Sequence, residues 1–182
     1  MGEYDYGKLK SCGDSVFISN NVEIRRPHLV SIGSHVAIDT GFYCTVKAEL
    51  GDYIHIGPYV TVIGGQDGFL KMNHFTTIAA GARLICVTDE HLGEGLVGPT
   101  IPPEVADNLI KKPIVMGPFS NIGTNAVVYP GVTLAEGSVL GACSLLTQNT
   151  EPWTIYIGVP ARPILSRKQV MKEKARTLGY NL

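Results

Sequence analysis

Residues 116–146, MGPFSNIGTNAVVYPGVTLAEGSVLGACSLL, repeat with a period of six. Apolar residues recur at Met116, Ile122, Val128, Leu134, Leu140 and Leu146. A period of six matches neither the 3.6-residue turn of an α-helix nor the two-residue alternation of a strand. It favours a flat-sided coil in which each hexad supplies one short strand and one corner. Because three hexads close one turn, we expect residues eighteen apart to stack, as Met116 on Leu134.

The same period organises the chain upstream of this stretch. Further runs are Ile32, Ile38, Cys44, Leu50, Ile56 and Val62, then Met72, Ile78 and Leu84, with an upstream pair Ile18 and Ile24 before a two-residue slip at Leu29 and Val30. We expect Gly and Asn at corners that need a positive φ. Parallel pairing between stacked strands would satisfy the backbone and enclose a continuous aliphatic core.

Four strings carry a resemblance to a known family: IGSHVAIDTGFY, IGPYVTV, IGTNAVVYPGVTLAEGSVLGACSLLT and IGVPARPI. Over about residues 14–165 the chain resembles the hexapeptide-repeat acyltransferases, which include galactoside and maltose O-acetyltransferases and sugar acetyltransferases of polysaccharide biosynthesis. The resemblance implies an all-β, left-handed parallel β-helix, whose hand the period alone does not encode. The expected organisation is a preamble at 1–13, the β-helix domain at 14–165, and a C-terminal helix at 166–182 that closes the end of the coil.

Two breaks in the repeat mark candidate sites, because extra residues must leave the coil as loops. The first, 64–70, is Gly-rich, and its Gln66 and Asp67 are either substrate contacts or parts of a simple bulge. The second, 89–113, reads DEHLGEGLVGPTIPPEVADNLIKKP and is too long for a corner. Loops of this length in compact domains are commonly functional.

Acyl transfer needs a base with a pKa near neutrality, for which histidine is suited. We expect His28, His35 and His55 to be ordinary surface residues, whereas His74 is a candidate substrate contact. His91 stands where the coil gives way to the long loop.

The segment LICVTDEHLGEG around His91 is similar to the one that carries the catalytic histidine in galactoside and maltose acetyltransferases. The resemblance implies that His91 is the general base. Asp89 or Glu90 could orient its imidazole, and Asp89 is also a candidate substrate contact.

The resemblance further implies acetyl-CoA as co-substrate, no metal, and transfer to a hydroxyl or amine of a sugar or glycan precursor. The implied CoA-binding residues are Gly123, Thr124, Gly141, Ala142, Thr147, Arg162 and Lys168, with Arg167 as an alternative to Lys168. The Gly123 corner would also supply a backbone N–H to the developing oxyanion. Gly141 and Ala142 have a second interpretation as ordinary corner residues. The family places its site between subunits of a homotrimer, with the loop histidine of one chain facing the cofactor groove of the next.

Composition narrows the alternatives. With 15 basic and 16 acidic residues the net charge is −1, which gives no basis for nucleic-acid binding. The N-terminal residues are polar and no apolar run is long enough to span a membrane, so we expect a cytoplasmic protein without membrane insertion. Four scattered cysteines form no CxxC pair and are interpreted as core residues.

The same fold is compatible with three other functions, and the spacing of the histidines disfavours the first of them. A γ-type carbonic anhydrase would need a close histidine pair among its zinc ligands, and His74 and His91 are too far apart in sequence. A non-catalytic scaffold and a xenobiotic or antibiotic acetyltransferase stay open, as does the choice between O- and N-acylation.

Overall fold

The chain folds into three sheets that form the sides of a coil, in a computed structural model that describes residues 4–182. Strands within these sheets pair in parallel, except for an antiparallel hairpin that ends the second sheet. The first three residues of the expected preamble lie outside the described part. The first face contains β1 (Ser11–Cys12), β4 (Val30–Ile32), β7 (Lys47–Leu50), β10 (Phe69–Met72), β15 (Ile114–Met116) and β18 (Thr133–Leu134). The second contains β2 (Phe17–Ile18), β5 (Val36–Ile38), β8 (Ile54–Ile56), β11 (Thr77–Ile78), β16 (Asn121–Ile122), β19 (Val139–Leu140), β21 (Thr154–Gly158) and β22 (Ala161–Ser166). The third contains β3 (Glu23–Ile24), β6 (Tyr43–Cys44), β9 (Thr61–Ile63), β12 (Arg83–Ile85), β17 (Val127–Val128) and β20 (Leu145–Leu146).

The periodic apolar residues stack as the sequence predicts. On the first face Ile32 aligns with Leu50, Leu50 with Met72, Met72 with Met116, and Met116 with Leu134. All five side chains are buried. Burial of one such side chain contributes about 1.5–3 kcal/mol, so the ladder is the main source of stability.

At each break in the six-residue period the chain forms a 3-10 turn or a hairpin. The slip near residue 29 is a 3-10 turn at Pro27–Leu29, and the first break holds another at Gly65–Asp67. The long break forms an antiparallel hairpin of β13 (Val87–Asp89) and β14 (Leu109–Lys111), with a 3-10 turn at Pro103–Val105. The coil begins earlier than the expected residue 14, because β1 already pairs with β4 from Ser11.

Aromatic residues occupy most positions at the corner between the first and second faces, and the expected glycine stands there at Gly137. His35, Tyr53, Phe75, Phe119 and Trp153 all have φ between 53° and 62°. Successive ring centroids along this aromatic column are 4.6, 5.0, 5.2 and 5.8 Å apart. Stacked pairs contribute about 0.5–1.5 kcal/mol each, which offsets the cost of a left-handed conformation. Asn125 and Gly81 hold positive φ at the corner between the second and third faces, as expected.

Two cysteines are buried as expected and two are not. Burial raises the pKa of the Cys44 thiol to about 11 and that of Cys86 to about 12. Cys12 and Cys143 are exposed. The expectation of four core cysteines is therefore wrong for this second pair.

The C-terminal segment runs beside the aromatic column, whereas the sequence suggested a helix closing the end of the coil. The helix α1 is short, Met171–Arg176, and its Ala175 packs with Phe119 and Trp153. The aromatic column offers an apolar surface along the side of the coil, which explains this path. Arg167 Nη1 donates to the carbonyls of Phe119 at 2.7 Å and Gly137 at 3.0 Å, so this guanidinium is committed to the fold.

Tyr180 fastens the end of this segment to the coil. Its hydroxyl donates to Asp52 Oδ2 at 2.7 Å, and this hydrogen bond raises the pKa of Tyr180 to about 12. Burial works to raise the pKa of Asp52, but hydrogen bonds from Tyr180 and Ser34 and the nearby His74 leave it below its ordinary value. The segment is thereby attached at both ends.

Replacing Ile78 by alanine tests the ladder. Ile78 is 0% exposed and lies between Ile56 and Ile122, so the cavity should lower the free energy of unfolding by about 2–5 kcal/mol. Thr77→Ala changes the neighbouring outward side chain and should cost under about 1 kcal/mol. Urea denaturation of both variants is the measurement, and equal losses would contradict an inward-stacked ladder.

Replacing Tyr180 by phenylalanine tests the C-terminal attachment. Loss of the hydrogen bond to Asp52 should cost about 1 kcal/mol in this partly exposed setting, which is about a fivefold rise in local opening. Trypsin cleavage after Lys174 and Arg176, followed by mass spectrometry, should accelerate by that factor. Tyr59→Phe, at an exposed corner, should leave the cleavage rate unchanged. Equal rates in the two variants would contradict the attachment.

Candidate functional site

The extruded loop stands at the corner between the third and first faces. Its two strands pair Val87 with Lys111 and Asp89 with Leu109, and Lys112 N donates to Cys86 O at 3.1 Å where the loop rejoins the coil. The chain leaves and re-enters at nearly the same place, so the coil continues undisturbed.

The first break in the repeat, residues 64–70, is joined to this hairpin by an ion pair. Asp67 Oδ2 pairs with Lys111 Nζ at 2.8 Å, and Thr45 Oγ1 accepts from the N–H groups of Gly64 and Gly65 at 3.1 Å each. Asp67 is thus engaged in fastening the hairpin to the coil. Gln66 is exposed beside it.

A cavity of about 1050 Å³ lies between the hairpin loop and the ends of the third-face strands. Its charged and aromatic lining residues are Arg25, Arg26, Tyr43, Asp89, Asp107 and Lys111. Small-molecule sites in proteins commonly measure about 300–1,000 Å³. This cavity, which we call the acceptor cavity, reaches the upper end of that range.

Asp107 holds the turn that presents His91. The Asp107 side chain is buried; its Oδ2 accepts from His91 N and its Oδ1 from Asn108 N, each at 2.9 Å. His91 takes a φ of 59°, and the carboxylate stabilises this turn from inside the loop. Sequence reasoning missed Asp107, since a single acid in a proline-rich loop belongs to no repeat.

The His91 imidazole is exposed and, within residues 4–182, has no hydrogen-bond partner. In the single chain no hydrogen bond joins this ring to Asp89 or Glu90 within the described residues. Asp89 lines the acceptor cavity, whereas the lining does not include His91.

His74 lies at a different corner, beside the C-terminal segment. Its Nδ1 accepts from Asp52 N at 2.9 Å, and its ring centroid is 5.1 Å from that of Tyr180. It therefore supports the C-terminal attachment and does not line the cavity. Two histidines expected at the surface also have partners, since His35 stacks on Tyr53 and His55 Nε2 lies 2.9 Å from Asp39 Oδ2.

Four of the expected CoA-binding residues share the corner between the second and third faces. Gly123 and Thr124 follow β16, and Gly141 and Ala142 follow β19 directly above them. Packing alone requires the two glycines: a Cβ on Gly123 would lie 2.5 Å from Ala142 N, and one on Gly141 would lie 2.7 Å from Ile157 Cγ1.

The other expected CoA-binding residues are more dispersed. Arg162 is opposite Ile157 in the β21–β22 hairpin, close to Gly141. Thr147 follows β20 at the far edge of the third face, and Lys168 follows β22 on the way to α1. The structure therefore groups Arg162 with the corner residues and separates Thr147 and Lys168 from them.

Between residues 4 and 182 no group of three or more His, Cys, Asp or Glu side chains is arranged to hold a metal ion. In the same range no helix is both long and apolar enough to cross a membrane.

Comparison with known proteins identifies the family. The chain is 30% identical to a dTDP-4-amino-4,6-dideoxy-D-glucose acyltransferase of Escherichia coli, over 96% of this chain and 93% of that enzyme. It is 31% identical to AntD, an N-acyltransferase of Bacillus cereus solved with dTDP and 3-hydroxybutyryl-CoA, with a TM-score of 0.90 over 94% of this chain and 90% of that one. A hexapeptide-repeat acetyltransferase of Vibrio cholerae, 21% identical over 90% of this chain and 77% of that one, shares the fold with a TM-score of 0.58.

No family model matches the sequence. The full-length similarity to the E. coli enzyme nevertheless shows that the chain belongs to the hexapeptide-repeat sugar acyltransferases. The chain is an acyltransferase, and its repeats form the parallel β-helix that the sequence predicts.

Replacing Asp107 by alanine tests the loop turn. Two partly buried hydrogen bonds are lost, each worth about 0.5–1.5 kcal/mol, so local opening should become easier by about 1–3 kcal/mol, or roughly 5- to 150-fold. Hydrogen exchange of the amides at residues 90–108 should accelerate accordingly, while the amides of β16 and β19 stay protected. Glu104→Ala alters an exposed acid of the same loop and is the control. Unchanged exchange in the Asp107 variant would contradict the role assigned to it.

Proposed function

We propose that this enzyme transfers an acyl group from an acyl-CoA to the amino group of a nucleotide-linked amino sugar. The observation that carries the proposal is the acceptor cavity, which combines basic side chains with the carboxylate of Asp89. Two relatives of the chain support an amino sugar nucleotide as the acceptor. The E. coli enzyme is named for a dTDP-amino sugar, and AntD of B. cereus was solved with dTDP and an acyl-CoA.

Asp89 favours an amine over a hydroxyl as the acceptor. In the described residues its side chain has no ion-pair or hydrogen-bond partner, although it lines the cavity. An ammonium group would supply the missing charge and N–H donors, whereas a hydroxyl would supply one neutral donor. Asp89 therefore binds and orients the amino group.

His91 serves as the base. The bound ammonium first releases one proton to solvent, which frees the nitrogen lone pair. The neutral amine then attacks the thioester carbonyl, forming the C–N bond; the C–S bond breaks and CoA leaves as the thiol. The imidazole takes one proton from the attacking nitrogen and returns it to the departing sulfur, so the enzyme ends unchanged. The Gly123 N–H already donates to Leu140 O at 2.7 Å, so the N–H of Thr124 at the same corner stabilises the transient negative charge on the carbonyl oxygen.

The site is completed in a homotrimer. The hairpin with Asp89 and the Gly123 corner occupy opposite edges of the third face, and a face of three to five residues spans roughly 10–16 Å. A loop from one subunit meeting the Gly123 corner of the next would bring them together. This arrangement also leaves the exposed His91 ring free to face the neighbouring subunit's CoA.

Measuring CoA release identifies both the acyl donor and the acceptor. Acetyl-CoA remains the expected donor, and 3-hydroxybutyryl-CoA is the comparison suggested by the B. cereus enzyme. CoA release should depend on dTDP-4-amino-4,6-dideoxyglucose and be at least tenfold slower with the 4-hydroxy sugar nucleotide. Equal rates with the hydroxyl compound would contradict amine selectivity, and no release with either acceptor would favour a scaffold role.

Replacing His91 by alanine should lower kcat by roughly 10²–10⁴-fold, because the proton acceptor is lost. Trimer assembly by light scattering and CoA affinity should stay nearly unchanged. Asp89→Asn is the companion variant, in which KM for the amino sugar should rise more than kcat falls. A His91→Ala enzyme with full activity would remove the base assignment.

A further inference from the structure

Two consecutive arginines enter the acceptor cavity where the first turn of the third face ends. Arg25 and Arg26 directly follow β3, and both line the cavity together with Tyr43 of the next turn. No repeat position requires a basic residue at either place. Their presence beside a loop that carries Asp89 calls for a chemical explanation.

The two arginines differ in their partners. Arg25 Nε pairs with Glu23 Oε1 at 2.6 Å, and its guanidinium carbon lies 5.5 Å from the centroid of the Tyr43 ring. Arg26 Nη1 donates to the carbonyl of Thr45 at 2.7 Å. Within residues 4–182 Arg26 has no carboxylate within ion-pair distance, and its remaining N–H donors have no protein acceptor.

The other charged side chains of the cavity are ion-paired or hydrogen-bonded. Lys111 is paired with Asp67, and both oxygens of Asp107 accept backbone N–H groups. Among the described residues that line the cavity, Arg26 on the coil therefore has no carboxylate partner, and the Asp89 side chain on the hairpin has no polar partner. A ligand that satisfies both carries an anionic group at one end and a basic nitrogen at the other.

We propose that Arg26, assisted by Arg25, binds the diphosphate of the acceptor and thereby directs the sugar amine towards Asp89. A guanidinium held at one N–H by a carbonyl still presents a planar set of donors, which suits phosphoryl oxygens. Tyr43 forms an adjoining aromatic wall. This inference rests on the proposed function and makes Arg26 the residue that selects nucleotide-linked over free amino sugars.

Isothermal titration of the full-length chain with dTDP tests the inference without requiring catalysis. Arg26→Ala should weaken dTDP binding about 10- to 100-fold, whereas CoA binding should change by less than about twofold. Arg26→Gln, which can still donate to the Thr45 carbonyl, should lose a similar factor because the charge is gone. Inorganic pyrophosphate should compete with dTDP on the wild-type protein, and the affinity should fall as salt is raised.

Arg83→Ala is the matched control. Arg83 lies on the same face, and its Nη1 likewise donates to a backbone carbonyl, that of Gly81 at 2.8 Å, but it does not line the cavity. This variant should bind dTDP as the wild type does. Thermal unfolding of all variants confirms that the fold is kept.

Two outcomes would overturn the inference: dTDP affinity in both Arg26 variants within twofold of the wild type, or a wild-type protein that binds neither dTDP nor pyrophosphate. Failure of the proposed function gives a different pattern. In that case Arg26-dependent dTDP binding persists while no acyl transfer to an amino sugar nucleotide is seen.

In kinetics, KM for the nucleotide-linked amino sugar should rise at least tenfold in Arg26→Ala, with KM for the free amino sugar unchanged.

Discussion

Every turn of this coil must return to the same register as the turn below it, and the rest of the structure depends on that constraint. The backbone N–H groups of Gly51 and Asn73 donate to the carbonyls of Met72 and Met116 in the next turns, at 2.8 and 2.9 Å. Parallel strands a few residues long pair only if the chain closes each turn in register. An apolar side chain at every sixth position then makes in-register closure the arrangement that buries the most surface.

The same constraint explains how a long loop can be added without loss of the fold. Met72 aligns directly with Met116, although the extruded hairpin lies between them in sequence. Because the hairpin closes at its base through Lys112 and Cys86, the next turn starts where the previous one would have led. Loop residues are thereby freed from the core, and their side chains can be charged and exposed.

The three corners of the coil have different roles. The aromatic column is covered by the C-terminal segment, so its role is to hold several turns together from the side. At the corner with Gly123 and Gly141, close neighbours leave no room for a Cβ: the Ala142 backbone at Gly123 and the Ile157 side chain at Gly141. The corner opposite it carries the hairpin and the acceptor cavity. Because these roles belong to corner and loop residues, the buried apolar ladder keeps the same composition in every turn.

The sequence by itself determined the coil, its three faces and the position of both breaks, because a side chain repeated every six residues encodes a periodic structure directly. It also drew attention to Asp89 and His91 as residues of the loop. Only the tertiary structure decided that Asp107 holds the His91 turn, that His74 belongs to the C-terminal attachment, and that Arg26 lies across a cavity from Asp89. These contacts join residues far apart in the chain and outside the repeat, so they exist only once the hairpin has folded back onto the coil.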